Sequence, residues 1–381
     1  MTRALGWQLR GRGFDSHHPH NNLNMKKITL FPVQCTDDLH RVKLGIDPTS
    51  DRLHLGHLAP LRIAKQLQER GKHLTLVLGT FTAQMGDPSG RDKARPILDS
   101  DEVKKNGEKL LEQASKVLVE GFDVFRNADV FESMSVSELM SLVSKFTLKR
   151  ITSRDAFQKR IKEDQPISIQ ELIVPVLQGF DSVTLRSEIE IGGTDQLFNF
   201  QLTRELQQAH GQEPEVCIMT PILSGTDGRK MSKSLGNCIF FDETPENMFG
   251  LCMSVSDEVM DDEFIPILTD LLDLEESPIK RKMQMAFSIV EQIHGVSAAK
   301  DAQNHFESTI QKRQLPQDIK TTNLKDIIDI IKEVRECSGS EAARLIKGGG
   351  VKIDGKKAEE RCEVNKGVII KVGKRDFVEV V

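Results

Sequence analysis

The chain has 381 residues, 38% of them hydrophobic and 29% charged, with a formal net charge of −5. That length allows two or three domains with adequate core material, and the acidic balance excludes wholesale coating of nucleic acid while leaving room for a local basic patch. No run approaches the roughly eighteen apolar residues of a membrane-spanning helix, so no membrane partner is expected.

Residues 1–24 carry Arg and His but no apolar stretch of the secretory kind. Gly13-Phe-Asp-Ser16 can be encoded by a sequence containing TTCGAYTC, which resembles the T-arm of a transfer RNA gene read as protein. A misassigned start, with translation beginning at Met25, is therefore expected ahead of a disordered native arm.

The first strong pattern is a β-α-β unit. Val42 to Ile46 predicts a strand and Asp47-Pro48-Thr49 a turn. Leu58, Leu61, Ala64 and Leu67 recur at helical spacing up to Gly71, and Leu74 to Leu78 predicts a second strand. His54-Leu-Gly-His57 stands at the mouth of that helix, where free backbone N–H groups favour a phosphate. Gly56 permits close approach of a flat ring, and the two histidines can donate hydrogen bonds to phosphate oxygens. Downstream, a strand is expected to end in Gly86-Asp87-Pro88-Ser89-Gly90, placing a carboxylate at the sheet edge; an ordinary turn is the competing reading.

Residues 100–165 predict a helical insertion between the halves of the sheet. Gln178 and Asp181 then fall at i and i+3 on one face of an apolar helix. Such groups must either bind each other and the backbone or bind a polar ligand, because an unpaired buried carboxylate is costly. Ile191-Gly-Gly193-Thr-Asp195-Gln196 predicts a glycine turn after an apolar strand, with two polar side chains at its end. Lys230-Met231-Ser-Lys233-Ser234 lies between Gly225-Thr-Asp-Gly228 and Gly236-Asn237, a mobile setting from which two lysines could close over a triphosphate. Residues from about 255 to 312 predict charged helices. From about Asn323 a compact tail follows, with helix, glycine turn, strand and hairpin turn over 340–355. Residues 341–381 hold 10 Lys/Arg against 7 Asp/Glu, a local charge of +3.

The pair His54-Leu-Gly-His57 and Lys230-Met-Ser-Lys-Ser234 resembles, in order and separation, the HIGH and KMSKS signatures of the class I aminoacyl-tRNA synthetases. Gly86-Asp-Pro-Ser-Gly90, Gln178-Gly-Phe-Asp181 and Ile191-Gly-Gly-Thr-Asp195-Gln196 narrow the resemblance to bacterial tyrosyl-tRNA synthetases with a C-terminal S4 domain. It covers nearly the whole chain from Met25. The fold it implies is α/β: a Rossmann-like parallel-sheet catalytic domain over 25–254, a helical anticodon-side domain over 255–322, and a small α+β S4-like RNA-binding domain over 323–381. It also implies a homodimer joined through the 100–165 insertion.

The reaction implied has two steps: L-tyrosine and ATP give tyrosyl-adenylate, and the tyrosyl group then passes to tRNA(Tyr). By the resemblance, Thr49, His54, His57, Lys230 and Lys233 serve catalysis. Gly45, Asp47, His54, Gly56, His57, Gly193, Asp195, Met231 and Lys233 hold ATP, whose Mg²⁺ rides on the phosphates. Asp87, Gln178, Asp181 and Gln196 hold the amino acid, Asp181 at the phenol and Asp87 with Gln178 at the ammonium. Arg344, Lys347, Lys352, Lys356 and Lys357 face RNA phosphates, while Arg91 and Arg95 stand near phosphate-contacting basic residues of the family. One departure is Val174, where the family usually has a tyrosine touching the substrate amine.

Tyrosine is absent from the whole chain, Trp7 is the sole tryptophan, and 18 phenylalanines carry the aromatic content. The missing tyrosine is thus a property of the chain rather than of the pocket. Six cysteines at 35, 217, 238, 252, 337 and 362 lack metal-ligand spacing, which reads as idle thiols in a reducing cytoplasm. Two other readings compete: a synthetase paralogue with another amino acid or acceptor, and a non-catalytic RNA-binding protein. The intact histidines, lysines and basic tail weigh against both. The start at Met25 has its own test: intact mass of protein made from the native upstream region should lack residues 1–24, and a product retaining them contradicts it.

Overall fold

The computed structural model describes residues 29–31, 38–85, 99–312, 320–335, 337–353, 356–358, 362–373 and 376–381. The backbone divides into two compact units, the first through Gln303 and the second from Asn304 to Val381.

The first unit is built on β1 (Thr29–Phe31), β2 (Arg41–Ile46), β3 (His73–Leu78), β4 (Asp123–Arg126), β5 (Ile189–Gly193) and β6 (Val216–Thr220), in the order β1-β6-β5-β2-β3-β4. All neighbouring pairs are parallel except β1, which runs antiparallel to β6 at the edge. Runs of Val, Leu and Ile buried in β2, β3 and β6 are what a parallel sheet covered by helices requires. From β2 the chain steps outward through β3 and β4, then returns to place β5 on the other side of β2. The strand order therefore reverses between β2 and β5, the place where open α/β sheets leave a crevice at their carboxyl ends.

The helix Leu55–Glu69 follows β2 and buries Leu55, Leu58, Leu61 and Ala64. Its last turn gives way to Gly71 at φ +78°, a left-handed conformation open to glycine. On the Lys43 side of β2 lies the helix Ile169–Leu185, which starts at a Ser168/Glu171 capping box. Val176, Leu177 and Val183 of that helix join Phe131, Leu142, Ile151 and Phe157 of the insertion in one apolar cluster. Two expectations are corrected. The insertion contains β4, an edge strand of the sheet, whose Asp-Val-Phe-Arg sequence is too short and too exposed to show a period. Residues Thr82–Met85 form a helical turn instead of a strand, because the chain bends back at Gly79, where Ala83 N–H bonds the Gly79 carbonyl at 2.8 Å. Asp87, Arg91 and Arg95 lie outside the described residues.

Beyond β6 come the helices Pro245–Ser254, Pro278–His294 and Val296–Lys312. Arg62 of the 55–69 helix is buried and donates to Asp270 at 2.6 Å and to Gln292, tying the 278–294 helix and the segment before it to the 55–69 helix.

The second unit contains β7 (Lys320–Thr322), β8 (Val351–Ile353), β9 (Lys356–Lys357), β10 (Ile369–Val372) and β11 (Asp376–Val380), in the order β7-β11-β10-β8-β9. The helices Ile327–Arg335 and Gly339–Lys347 complete an α+β core of Ile327, Ile330, Ile331, Ile346, Val351 and Ile370.

Candidate active site

A cavity of about 700 Å³ opens at the carboxyl ends of β2 and β5. Its floor is charged. Lys43 and Glu190 stand opposite each other in the β2–β5 register, both almost wholly buried, and form an ion pair of 2.9 Å. Behind them Glu215 accepts hydrogen bonds from Ser187 and, at 3.5 Å, from Ser182. Burial and the neighbouring Glu190 push the Glu215 carboxyl well above the ordinary range. Glu190 is pulled the other way: burial opposes its charge, but Lys43 and hydrogen bonds from its neighbours outweigh that. Lys43 and Glu190 thus neutralise each other beneath the cavity.

Asp181 projects from the 169–185 helix beside this cluster and is also buried. Its Oδ2 accepts from Asn127 at 3.3 Å, whereas Oδ1 has no partner among the described residues. Burial pushes the carboxyl up to about 7; Lys43 and Asn127 pull it down, while Glu190 and Asp47 add to the upward push. One turn earlier, Gln178 Oε1 accepts from Asn199 at 2.8 Å, and the same Asn199 amide reaches Gln196 Oε1 at 2.9 Å. Val174 adds an apolar wall.

The opposite wall is the start of the 55–69 helix. His54 is its N-cap and accepts the Gly56 N–H on Nδ1 at 3.1 Å; His57 Nδ1 accepts the His54 N–H at 3.1 Å in return. A backbone N–H can only donate, so His54 Nδ1 is an acceptor and its ring proton sits on Nε2, whereas His57 Nδ1 lies within reach of both the His54 N–H and, at 3.3 Å, the His54 carbonyl, and its proton can sit on either ring nitrogen. Burial, helped by Lys233, pushes His57 down to about 4; burial, His57 and Lys233 push His54 down as well. Both rings are therefore neutral donors near pH 7. Gly56 leaves no room for a side chain, since a Cβ would stand 2.8 Å from the His54 ring. Gly45 faces open cavity, and Asp47 accepts from Thr82 at 3.0 Å.

The roof is the lysine segment. Residues on its far side pair with those just before the helix: Leu55 N–H bonds Ile239 O at 2.9 Å and Phe241 N–H bonds Leu53 O at 3.0 Å. On its near side Met231 N–H bonds Leu223 O at 2.8 Å. Lys233 Nζ donates to Ser50, and Lys230 lies 3.8 Å from Asp195 across the cavity. Buried Asn237 holds the loop: it donates to Asp227 at 2.7 Å and to the Lys230 carbonyl at 3.1 Å, and accepts from Ser232 N–H at 2.9 Å.

The cavity thus brings together Gly45, Asp47, Thr49, His54, Gly56, His57, Gln178, Asp181, Gly193, Asp195, Gln196, Lys230, Met231 and Lys233, all singled out in the sequence. Asp87 lies outside the described residues. Lys43, Glu190, Asn127 and Asn237 were missed. The first two had a signal: charged residues inside Val42-Lys-Leu44 and Ile189-Glu-Ile191, two strands otherwise apolar.

A family model described as tRNA synthetases class I (W and Y) matches residues 37–320. The tyrosine–tRNA ligase of Thermotoga maritima is 40% identical over 361 residues, covering 89% of this chain and 90% of that protein. The ligase of Aquifex aeolicus is also 40% identical, over 90% and 91% of the two chains. The chain belongs to the tyrosyl-tRNA synthetase family of class I. In fold it resembles a C-terminally truncated mitochondrial tyrosyl-tRNA synthetase of Aspergillus nidulans, with a TM-score of 0.60 and 19% identity, covering 71% of this chain and 86% of that one. The enzyme of Archaeoglobus fulgidus, solved with L-tyrosine, gives a TM-score of 0.52 at 20% identity, covering 72% and 88%.

In the second unit Arg344 and Lys347 are exposed on the last turns of the 339–347 helix. Lys352 of β8 and Lys357 of β9 are exposed cross-strand partners, and Lys356 stands opposite Ile353. Like charges directly opposite repel, so an anion between Lys352 and Lys357 would relieve the pair.

Replacing Asn237 with Ala removes the buried anchor of the lysine loop. Losing such bonds costs roughly 1–3 kcal/mol, so adenylate formation should slow by about tenfold or more while amino-acid KM stays near its wild-type value. Steady-state exchange kinetics check this; an unchanged kcat would contradict it.

Proposed function

We propose that this chain is a tyrosine–tRNA ligase that uses ATP and L-tyrosine and charges tRNA(Tyr). The single observation that carries the reading is the Asp181 Oδ1 atom at the cavity floor, buried and without a partner among the described residues. An orphaned acceptor there is satisfied by a ligand that brings a hydroxyl donor, and a phenol on a flat ring fits a cavity lined on one side by Val174. A ring without a hydroxyl would leave the acceptor unpaired. A mismatch of that kind is the general basis for strong rejection of an analogue lacking a hydroxyl, a rule for which tyrosyl-tRNA synthetases are themselves the standard example.

In the first step a carboxylate oxygen of tyrosine attacks the α-phosphorus of ATP. The new O–P bond forms as the bond to pyrophosphate breaks, and pyrophosphate leaves with the electron pair. The nucleophile is already ionised, so no general base is required. The protein's part is alignment of two anions and stabilisation of charge on the phosphoryl oxygens. The Nε2–H of His54, the neutral ring of His57 and the hydroxyl of Thr49 serve one side, and Lys230 and Lys233 the other. Gly45 and Gly56 admit the nucleotide, while Gly193 and Asp195 are suited to its ribose. Mg²⁺ carried on the ATP phosphates shares their charge. Gln178, with Asp87, holds the substrate ammonium, and Gln196 supports it through Asn199. In the second step the ribose hydroxyl of tRNA takes the tyrosyl group and AMP leaves.

The partners follow from the surfaces. Val136, Met140, Leu148, Ile161 and Ile169 are exposed on the insertion and the helix after it. An apolar strip of this kind supports pairing with a second copy of the chain. The helices over 255–322 and the Lys352/Lys357 pair, with Arg344, Lys347 and Lys356, are assigned to the tRNA. No helix among the described residues is long and apolar enough to cross a membrane, and a cytoplasmic enzyme is proposed.

The test is amino-acid-dependent exchange of labelled pyrophosphate into ATP, with tyrosine, phenylalanine and tryptophan offered separately. Tyrosine alone should support exchange. Asp181→Asn should lower kcat/KM for tyrosine by about 100-fold, the worth of roughly 2–3 kcal/mol for a hydrogen bond to a charged group. Equal exchange with phenylalanine, or none with any of the three, would contradict the reading.

A further inference from the structure

Lys43 is an unusual occupant of its position. It sits in the middle of β2, a strand whose other central residues are Val42, Leu44 and Ile46, and its side chain is 1% exposed. A buried ammonium is costly unless every donor is used and a counter-charge is close. Here both conditions are met. The three N–H groups have three acceptors: Glu190 Oε1 at 2.9 Å, Ser182 Oγ at 2.8 Å and the Gln178 carbonyl at 3.1 Å. Burial works against the charge, and Glu190, Glu215 and Asp181 more than offset it, so the lysine is held ionised.

Two of those three acceptors belong to the single helical turn that carries both Gln178 and Asp181. Lys43 is thus bonded to that turn from below, yet makes no bond to Asp181 itself, whose Oδ1 has no partner among the described residues. Lys43 is already paired with Glu190, so an ionised Asp181 beside them adds a negative charge that has no ion pair of its own among the described residues. The charged groups facing it are Lys43 from β2, Glu190 from β5 and Asp47 from the turn after β2. Of these only Lys43 favours the carboxylate.

We propose that Lys43 is the positioning residue of the amino-acid selector: bonded beneath the 178–182 turn, it fixes that turn and keeps Asp181 a hydrogen-bond acceptor, so that the site takes a ring bearing a hydroxyl and turns away one without. The inference rests on the tyrosine reading above. Lys43 does not touch the substrate; it acts through Asp181.

The test compares wild type, Lys43→Met and Lys43→Met/Glu190→Gln. The double variant removes both charges with near-isosteric side chains, so it stays foldable even where Met alone strands Glu190. For each, kcat/KM in pyrophosphate exchange is measured for tyrosine and for phenylalanine across the neutral pH range. In wild type the tyrosine value should fall as pH drops through about 7, where Asp181 gains its proton. In Lys43→Met that midpoint should rise by about one pH unit or more, as for removal of an opposite charge beside a carboxylate; in the double variant it should rise by less, because Glu190, which pushes Asp181 the other way, is lost as well. At pH 7 the tyrosine-to-phenylalanine ratio of Lys43→Met should fall about fivefold or more, with the phenylalanine value little changed. A folded Lys43→Met that keeps the wild-type midpoint and ratio overturns the proposal, as does a double variant that keeps both where it alone folds, and as does failure of both variants to fold, which would make Lys43 a residue of the core alone. Absence of tyrosine-dependent exchange in wild type would instead remove the functional reading itself.

Discussion

A lysine ammonium in the centre of a helix-covered parallel sheet must be neutralised, and the floor of the cavity follows from how this chain does it. Lys43 and Glu190 share a register position on β2 and β5, the two strands between which the order of the sheet reverses. The pair therefore lies directly under the crevice that the topology opens. Burial and Glu190 push the Glu215 carboxyl well above the ordinary range, which opposes excess negative charge in the group. The same lysine bonds the helical turn that bears Gln178 and Asp181. Sheet topology, helix placement and the acceptor at the cavity floor are thus coupled through one side chain.

The phosphate-facing side is organised by a different device. A histidine capping box ties the two rings to the start of the 55–69 helix and commits His54 Nδ1 as an acceptor. Burial holds the rings neutral. The His54 Nε2–H donor is thus fixed before any ligand arrives, so little reorganisation is needed as charge develops. The strand-like pairing of Leu53–Leu55 with Ile239–Phe241 places the lysine segment over the same helix start. Asn237 then sets the shape of that segment. Two signatures far apart in the chain meet because the backbone at the start of the first pairs with the backbone just after the second.

Much of this was legible beforehand, where the signal was local and strong. Hydrophobic spacing gave the β-α-β unit of 42–78 within a residue or two, and the i, i+3 relation of Gln178 and Asp181 survives intact in the 169–185 helix. What escaped was decided by tertiary context. β4 is four half-exposed residues, with no period to read. The strand expected to reach Gly86 ends at Leu78, since β3 needs only six residues to match β2. Lys43 and Glu190 look like interruptions of apolar strands until the register sets them opposite each other. Asn237 looks like an ordinary loop residue until its buried amide is seen to hold Asp227, Lys230 and Ser232 at once.

The central claim is that a buried Asp181, about half protonated near neutrality when the cavity is empty, becomes an ionised acceptor when a hydroxyl donor binds. Calorimetric titration at pH 7 in buffers of different ionisation heat measures this directly, with tyrosine and phenylalanine compared under the same conditions. With the free carboxyl at about 7, linkage predicts that tyrosine binding expels about half a proton per site and that phenylalanine expels none. Equal proton release for the two amino acids, or none for tyrosine, would contradict the account.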